Sequence, residues 1–430
     1  MRTQLTRAFA LAMVLLAPSA ARAAKAPADN TYEQLKLLVD ILGYVQDNYV
    51  DEADSQKLIY GAAAGMTRTL DPYSQFLEPE MHREMKTETE GQFGGVGLQL
   101  NLKDEWLMVL TPTPGSPAYR AGILPNDRIA EIDEASAKDM DMSDASKRLR
   151  GAPGTKVKIK VLRGPPDGGE GAWKPRDFEI VRELVKIESV VWRRLDDGVG
   201  YVRITEFSAK TLDDLSEALK QLKKDSVNSL VLDLRNNPGG LLSAAVETAS
   251  LFLGGGKLVV YTQGRRAENR QDFTAAQKAP YAEMPLVVLI NGGSASGSEI
   301  VAGAMQDHKR AVVVGQRSYG KASVQSLIPL PDGSGLRLTV ARYYTPSGRS
   351  IQRDEKRKTG GISPDIAVEI SPEAEGKLYA QWETIYAKGA KPRSAVKPEE
   401  EVRDAVLDRG VELLKARDVL GVLKTSPPAP

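Results

Sequence analysis

The 430-residue chain contains no cysteine, and histidine occurs only twice, as His82 and His308. The first absence excludes disulfides, thiolate nucleophiles and thiolate metal sites. The second excludes a histidine-rich metal centre. Excess charge is lacking too. Lysine and arginine total 58 against 57 aspartates and glutamates, a formal net charge of +1, so nothing points to nucleic acid or to an electrostatic membrane anchor. Long apolar runs are missing beyond the N-terminus. There, Arg2 and Arg7 flank a basic start, Ala8 to Leu16 is a short apolar core, and Ala21-Arg22-Ala23 has the small-x-small pattern of a cleavage site. Residues 1–23 read as a secretory signal peptide cut after Ala23, with Ala24 the neighbouring choice. The apolar core is too short to span a bilayer comfortably, and no cysteine follows the cut to carry a lipid. The mature chain is expected to be exported, periplasmic in a two-membrane bacterium.

What is present is enough for two or three domains. Residues 24–90 read as helical: Asn30 to Tyr49 carries Leu35, Leu38, Leu42, Val45 and Tyr49 at helical spacing, with Asn30 and Glu33 as a capping box. A second helix is expected over Asp54 to Arg68 and a short charged one over Glu78 to Glu90, separated by the breaker Leu70-Asp71-Pro72-Tyr73-Ser74. From Gln92 the period changes. Gly94 to Leu100 reads as a glycine turn feeding an alternating strand, followed by short strands at Leu107–Leu110, Ile129–Ile132 and Val157–Val161 and a glycine-capped helical turn at Pro117–Gly122. This is the pattern of a compact binding module. Such a glycine turn either takes a peptide carboxylate on its N–H groups, with the strand adding the peptide edge-on, or is a plain hairpin; the residues alone leave both open. Gly164 to Lys174 is a Gly- and Pro-rich loop.

From Val185 strands and helices alternate: Gly200–Ile204, the helix Thr211–Lys224, Leu230–Leu234, Leu258–Tyr261, Pro285–Ile290 and Ala311–Val314, an arrangement that argues for a layered α/β core. Arg266 to Lys278 is polar and reads as mobile. Ser326–Leu330 and Gly335–Tyr344 suggest a hairpin. Beyond Ile370 the chain is charged and helical, and Ser426–Pro430 reads as a disordered tail.

The chemistry concentrates between Asn291 and Gln325. An apolar run enters a turn bearing Ser294, Ser296 and Ser298 among small residues, then a helical run, then the glycine-flanked Lys321. A serine hydroxyl needs a base to act as a nucleophile. His308 lies twelve residues beyond Ser296 along the same helical run, about 18 Å away at 1.5 Å per residue. His82 is remote in sequence, and Asp307 fails by the same distance. Lysine is the remaining base; it must be neutral, and burial favours that form. The residues alone leave Lys321 open as a solvated surface charge, and they do not choose among the three serines. Gln325, four positions on, is placed to orient the amine. Pro238-Gly239-Gly240, ending the Asp233 strand, is a source of backbone N–H groups for an oxyanion, or a simple strand-to-helix turn.

Taken together, Leu70-Asp71-Pro72 with Phe76-Leu77, Gly94-Gly95-Val96-Gly97, Ser116-Pro117-Ala118 through Ile123, Asp127-Arg128-Ile129, Asp233 to Gly240, Ser294 to Ile300, Gly315 to Gln325, Tyr343 to Arg349 and Gly361 to Ile366 resemble the carboxyl-terminal processing (tail-specific) proteases, a family of PDZ-containing serine–lysine peptidases. No single motif is decisive; their order from about residue 70 to 366 is specific. In that family the lysine follows the middle serine by twenty-five positions, as Lys321 follows Ser296. The resemblance implies Ser296 as nucleophile, Lys321 as base, Gln325 as the orienting group, and the Gly240 and Gly297 N–H groups as oxyanion donors. It implies a multidomain α/β and α+β fold: a PDZ domain over 91–184 (a small β-barrel with helices), a crotonase-like serine protease core over 185–370, and a C-terminal helical region over 371–430. Gly95, Val96 and Gly97 would form the carboxylate loop, with Leu98 and Leu100 on the peptide-binding strand. One departure is visible: Gly297 stands where the family usually has alanine.

The function expected from this resemblance is an exported endopeptidase that captures C-terminal tails of proteins and cleaves near them through an acyl-enzyme, with no metal or cofactor. Its partners would be protein or peptide substrates with free C-termini, with room for an adaptor protein and for a homodimer or higher oligomer, and no nucleic acid. Two other classes share these features: a catalytically silent PDZ scaffold, which the Ser296–Lys321–Gln325 spacing opposes, and an acyl-CoA enzyme on the same core, which the export signal and binding module oppose.

Overall fold

The computed structural model describes residues 31–103, 106–113, 115–138, 140–164, 172–186, 188–354, 356–357, 359–371, 373–375, 377–378, 381–382 and 402–425. The expected signal peptide over 1–23, the Asn30 cap, the centre of the Gly164–Lys174 loop and the Ser426–Pro430 tail lie outside these residues. The chain divides into two units, Met1–Ala63 and Ala64–Pro430. In the first, a helix spans Thr31–Asn48. Asp54 accepts from the Gln56 and Lys57 N–H groups, satisfying two otherwise orphaned donors at the start of the Ser55–Arg68 helix.

In the second unit three sheets matter. The binding module is a sheet of strands Leu98–Lys103, Trp106–Pro112, Arg128–Ile132, Lys156–Arg163 and Lys174–Val181, paired antiparallel in that order. Alternation along Lys156–Arg163 buries Val157, Ile159 and Val161 against Ile129, Ile132, Ala145 and Leu149. Leu98–Lys103 is an edge strand, with one side unpaired within its sheet. Two corrections apply here. Gly94 and Gly95 belong to a strand, Gln92–Gly95, paired with Glu183–Lys186; the turn proper falls at Gly97, whose φ of 76° favours glycine. A helix, Met142–Leu149, and the strand Lys174–Val181 escape the hydrophobic pattern. The first is a short polar helix held by an Asp141 N-cap, and the second is mostly exposed.

The catalytic-type core is a six-stranded sheet ordered Val190–Arg194, Val199–Ile204, Ser229–Asp233, Leu286–Ile290, Val312–Gly315 and Ile366–Ala367, parallel except for its first pair. Its central strands read as unbroken apolar runs because both faces are covered. Helices Thr211–Lys224, Leu242–Leu253 and Gly297–Asp307 contribute to the core on one face. On the other, Val406 and Leu414 of the helix Ala405–Thr425 pack on Tyr201, Val231, Val287 and Leu289.

The third sheet joins Gln75–Leu77, Gly335–Tyr344, Leu258–Gly264 and Arg270–Thr274, with Ser323–Pro329 added as a hairpin on Gly335–Tyr344. The polar stretch Arg266–Lys278 is therefore not a plain loop. It forms a turn and an edge strand, its charged residues standing where an edge strand meets water.

Candidate active site

Two sharp turns meet at the carboxyl ends of neighbouring parallel strands, where open α/β sheets place their sites. One follows Ser229–Asp233 and the other follows Leu286–Ile290; the strands pair directly, Leu232 opposite Val288. The turns are stapled by hydrogen bonds. Asn291 Oδ1 accepts from the Asn236 N–H (2.8 Å) and Asn291 Nδ2 donates to Asn236 Oδ1 (2.7 Å). The buried Asn237 carbonyl accepts from the Ala295 N–H at 3.0 Å and from Ser298 Oγ at 2.9 Å. Ser294 Oγ donates to the Leu234 carbonyl at 2.8 Å. Ser294 and Ser298 are thus fully buried staples, which leaves Ser296 as the half-buried serine of the three.

Ser296 sits at the N-terminus of the Gly297–Asp307 helix with φ 53° and ψ −111°. This conformation costs a non-glycine residue roughly 1–3 kcal/mol and persists only where its surroundings enforce it. They do. Gly239 (φ 103°) lies so close that a Cβ there would stand 2.6 Å from the Ser296 Cβ and 2.9 Å from the Gly297 nitrogen. The Gly240 backbone is pinned on its other side, where Phe207 N–H donates to the Gly239 carbonyl (2.8 Å) and Leu241 N–H to the Phe207 carbonyl (2.7 Å). Among the described residues the Gly240 and Gly297 N–H groups have no hydrogen-bond acceptor. Both glycines belong to the two stapled turns. Gly297 has a steric reason of its own: a Cβ there would come 2.8 Å from the Phe207 ring.

One carboxylate ties the serine turn to the lysine. Glu299 is fully buried. Its Oε2 accepts from the Ser296 N–H at 2.8 Å and the Lys321 N–H at 2.9 Å; its Oε1 accepts from the Gly320 N–H at 2.7 Å and Ser318 Oγ at 2.5 Å. Burial raises the carboxyl above its ordinary value, and these hydrogen bonds oppose the rise. Tyr343, 2% exposed, adds a second tie. Its hydroxyl donates to the Lys321 carbonyl.

Lys321 is half-buried. Burial holds its ammonium below the ordinary lysine value, the Arg337 charge pushes the same way, and the Glu299 carboxylate opposes both. Gln325 lies on the adjoining strand, but its Nε2 donates to the Tyr73 carbonyl (2.7 Å). The histidines are elsewhere: His308 ends the helix that Ser296 begins, with Nε2 against the Leu258 carbonyl, and His82 meets the Gly333 carbonyl. Asp307 pairs with Arg349. Glu299 had a readable signal, since Ser296-x-x-Glu299 is a capping-box pattern. Tyr73 and Tyr343 stood in stretches already singled out, the Leu70–Ser74 breaker and the Tyr343–Arg349 motif, but nothing local tied either to the lysine.

In the binding module a cavity of about 110 Å³ opens between the Leu98–Lys103 edge strand and the Met142–Leu149 helix. Val96, Gly97, Leu98 and Leu100 line it, with Phe93, Met142 and Leu149. Gly95 does not line it; it pairs with Glu183 and bridges Arg150.

Residues 198–368 match peptidase family S41, residues 108–163 a PDZ domain, and residues 12–81 the activating protease CtpB N-terminal domain. The carboxy-terminal-processing protease of Bartonella bacilliformis is 42% identical over 344 residues, covering 79% of this chain and 76% of its own. That of Synechocystis sp. is 37% identical over 363 residues, covering 78% and 81%. The solved structure of a putative S41 protease from Bacteroides fragilis shares the fold, with a TM-score of 0.50 at 17% identity over 86% of this chain and 91% of that one. An α/β core with two stapled turns, a PDZ module and this degree of likeness together mean that the chain belongs to the carboxyl-terminal-processing proteases, the PDZ-bearing serine endopeptidases of family S41.

Proposed function

We propose that the chain is an exported protease that cleaves protein substrates near their C-terminal tails through a serine–lysine acyl-enzyme. Ser296 attacks the peptide carbonyl, and neutral Lys321 takes the hydroxyl proton. The tetrahedral oxyanion is met by the N–H groups of Gly240 and Gly297. The lysine ammonium then protonates the leaving amine, and water, with Lys321 again as base, hydrolyses the acyl-enzyme. Gln325 holds the amine. Tails dock as an added strand on Leu98–Lys103, with Leu98 and Leu100 lining the groove and Val96 and Gly97 forming the carboxylate loop. The segment 1–23 directs export and is removed, and the enzyme works outside the cytoplasm, in the periplasm of a two-membrane bacterium. The exposed apolar residues of Thr31–Asn48, among them Leu35, Leu38 and Ile41, suit assembly with a second copy or an adaptor.

The single observation that carries the mechanism is Glu299, one buried carboxylate that binds the backbone N–H groups of both Ser296 and Lys321. Peptidase assays of Ser296→Ala and Lys321→Ala on an unstructured substrate with a free C-terminus test it. Loss of turnover in both is expected, and full activity in either overturns the mechanism. N-terminal sequencing of the exported product tests the cut after Ala23.

A further inference from the structure

We propose that Tyr73 is a positioning residue for the base: its ring forms one wall of the Lys321 pocket and its carbonyl fixes Gln325, so the segment 71–77 completes the catalytic site. The proposal rests on Lys321 being the general base. Gln325 and Tyr73 are 252 positions apart in sequence, yet the contact is built rather than incidental. Asp71 accepts from the N–H groups of Tyr73 and Ser74, both at 2.8 Å, and from Ser74 Oγ at 2.9 Å. The Thr339 N–H donates to Ser74 Oγ at 3.1 Å. Gln75, Phe76 and Leu77 then pair with Arg337, Leu336 and Gly335. The turn is thus clamped to the hairpin whose other strand, Ser323–Pro329, begins two residues after Lys321 and carries Gln325.

From that clamp Tyr73 reaches the base twice. Its carbonyl accepts from Gln325 Nε2 at 2.7 Å and from Arg337 Nε at 3.1 Å. The bond fixes which way the Gln325 amide faces: with Nε2 on the Tyr73 carbonyl, Oε1 is turned away from it, and an oxygen is what accepts from an amine. The ring meanwhile lies 4.9 Å from Lys321 Nζ. Its hydroxyl stays protonated, its pKa raised to about 12 by burial first and then by the neighbouring Tyr319.

The ring acts on the amine with two opposite signs. It excludes water, which favours the neutral form, and its π face attracts the ammonium, which favours the charged form. The other groups facing the amine are Arg337, which disfavours the charge, and Glu299, which favours it; Tyr343 spends its hydroxyl on the Lys321 carbonyl. Desolvation is the largest influence on Lys321, and the ring, 4.9 Å from the amine, is part of the wall that excludes water. The proposal is that this contribution outweighs the attraction.

The test is a pH–rate profile of the full chain on one peptide substrate, for wild type, Tyr73→Ala, Tyr73→Leu and Tyr73→Phe, each checked by thermal melting. Alanine keeps the carbonyl that holds Gln325, so its effect isolates the ring. Tyr73→Ala is expected to lower kcat at pH 7 on the order of tenfold with little change in KM, and to move the rising limb of the profile to higher pH. Tyr73→Phe should restore most of the rate and return the limb. Tyr73→Leu, which refills the volume if alanine fails to fold, should fall between them. Carbon-13 titration of Lys321 in a Ser296→Ala background reads the same shift without turnover. A wild-type profile in folded Tyr73→Ala or Tyr73→Leu, or a limb moved to lower pH, overturns the proposal. A fully active Lys321→Ala enzyme would sink the base assignment itself, whereas an inactive Lys321→Ala beside a normal Tyr73→Ala sinks only the role of Tyr73.

Discussion

Replacing Glu299 by glutamine keeps the side-chain shape and removes half of its acceptors. The carboxylate serves four donors, two on each oxygen. An amide offers one oxygen, so one pair must face an NH₂. Turned toward Ser296 and Lys321, the NH₂ orphans two backbone N–H groups. Turned toward Gly320 and Ser318, it orphans one, because the Ser318 hydroxyl can rotate to accept. The second orientation wins. It costs about 1–3 kcal/mol for the buried Gly320 N–H, plus the weakening of the remaining bonds once their acceptor is uncharged. Relief of a buried charge offsets part of this, since burial already disfavours the ionised form. A net destabilisation of about 2–4 kcal/mol is expected, a large share of a typical 5–15 kcal/mol domain stability. Alanine should be worse, orphaning all four donors. Because Glu299 holds the chain on both sides of the chemistry, kcat should fall on the order of a hundredfold, the usual penalty for misplacing reacting groups by about 1 Å. The pH dependence has a definite sign. The folded carboxyl lies above its ordinary value of 4.5. Stability linked to it is therefore full below the unfolded range and lost as pH rises through the folded value; glutamine should flatten that part of the curve. Melting and single-turnover rates from pH 4 to 8 measure both effects, and wild-type melting with wild-type kcat in Glu299→Gln would refute the reasoning.

Asp404→Asn should destabilise the protein by about 1–3 kcal/mol, since Arg235 keeps its pairing with Asp233, and slow turnover, as read by chemical denaturation and a peptidase assay. It breaks a two-pronged bond, both contacts 2.8 Å, to Arg235, which is 2% exposed and leads into the Gly239–Gly240 turn. Gly297→Ala should cost about 1–3 kcal/mol by overpacking the Phe207 ring, and Phe207→Leu in the same chain should recover much of it in a double-mutant cycle. Leu98→Asp, in the 110 Å³ groove, should raise KM for substrates with a free C-terminal carboxylate and erase their preference over amidated ones.

Much of the fold can be read locally, for identifiable reasons. Buried parallel strands are written as apolar runs, so Leu230 to Leu234 and Pro285 to Ile290 announce themselves, and the Thr211–Lys224 helix falls at the boundaries its leucine spacing predicts. Edge elements are harder. Arg270–Thr274 and Lys174–Val181 are mostly exposed and show only a short apolar side, Phe273 in one and Phe178 with Ile180 in the other, and a helix as short as Met142–Leu149 leaves too little period to detect. That helix walls the groove, so the sequence suggests half of the groove and hides the other half.

The site divides along the same line. That a serine turn and a glycine turn each follow a strand is local information. That they are neighbours depends on Ser229–Asp233 lying beside Leu286–Ile290 in the sheet, which periodicity does not encode. The order of motifs carries what periodicity lacks, because segments held in contact must keep compatible shapes wherever they fall in the chain. Leu70-Asp71-Pro72 enters the resemblance as a motif without chemistry of its own. The structure gives it some: Asp71 forms the turn, the turn presents Tyr73, and Tyr73 touches Gln325 by its carbonyl and Lys321 by its ring. A breaker between two helices and a lysine in a glycine-flanked loop, each bland alone, thus become two sides of one pocket. A motif with no reactive residue, recurring in fixed order with reactive ones, is accordingly best sought in the wall of the site they build.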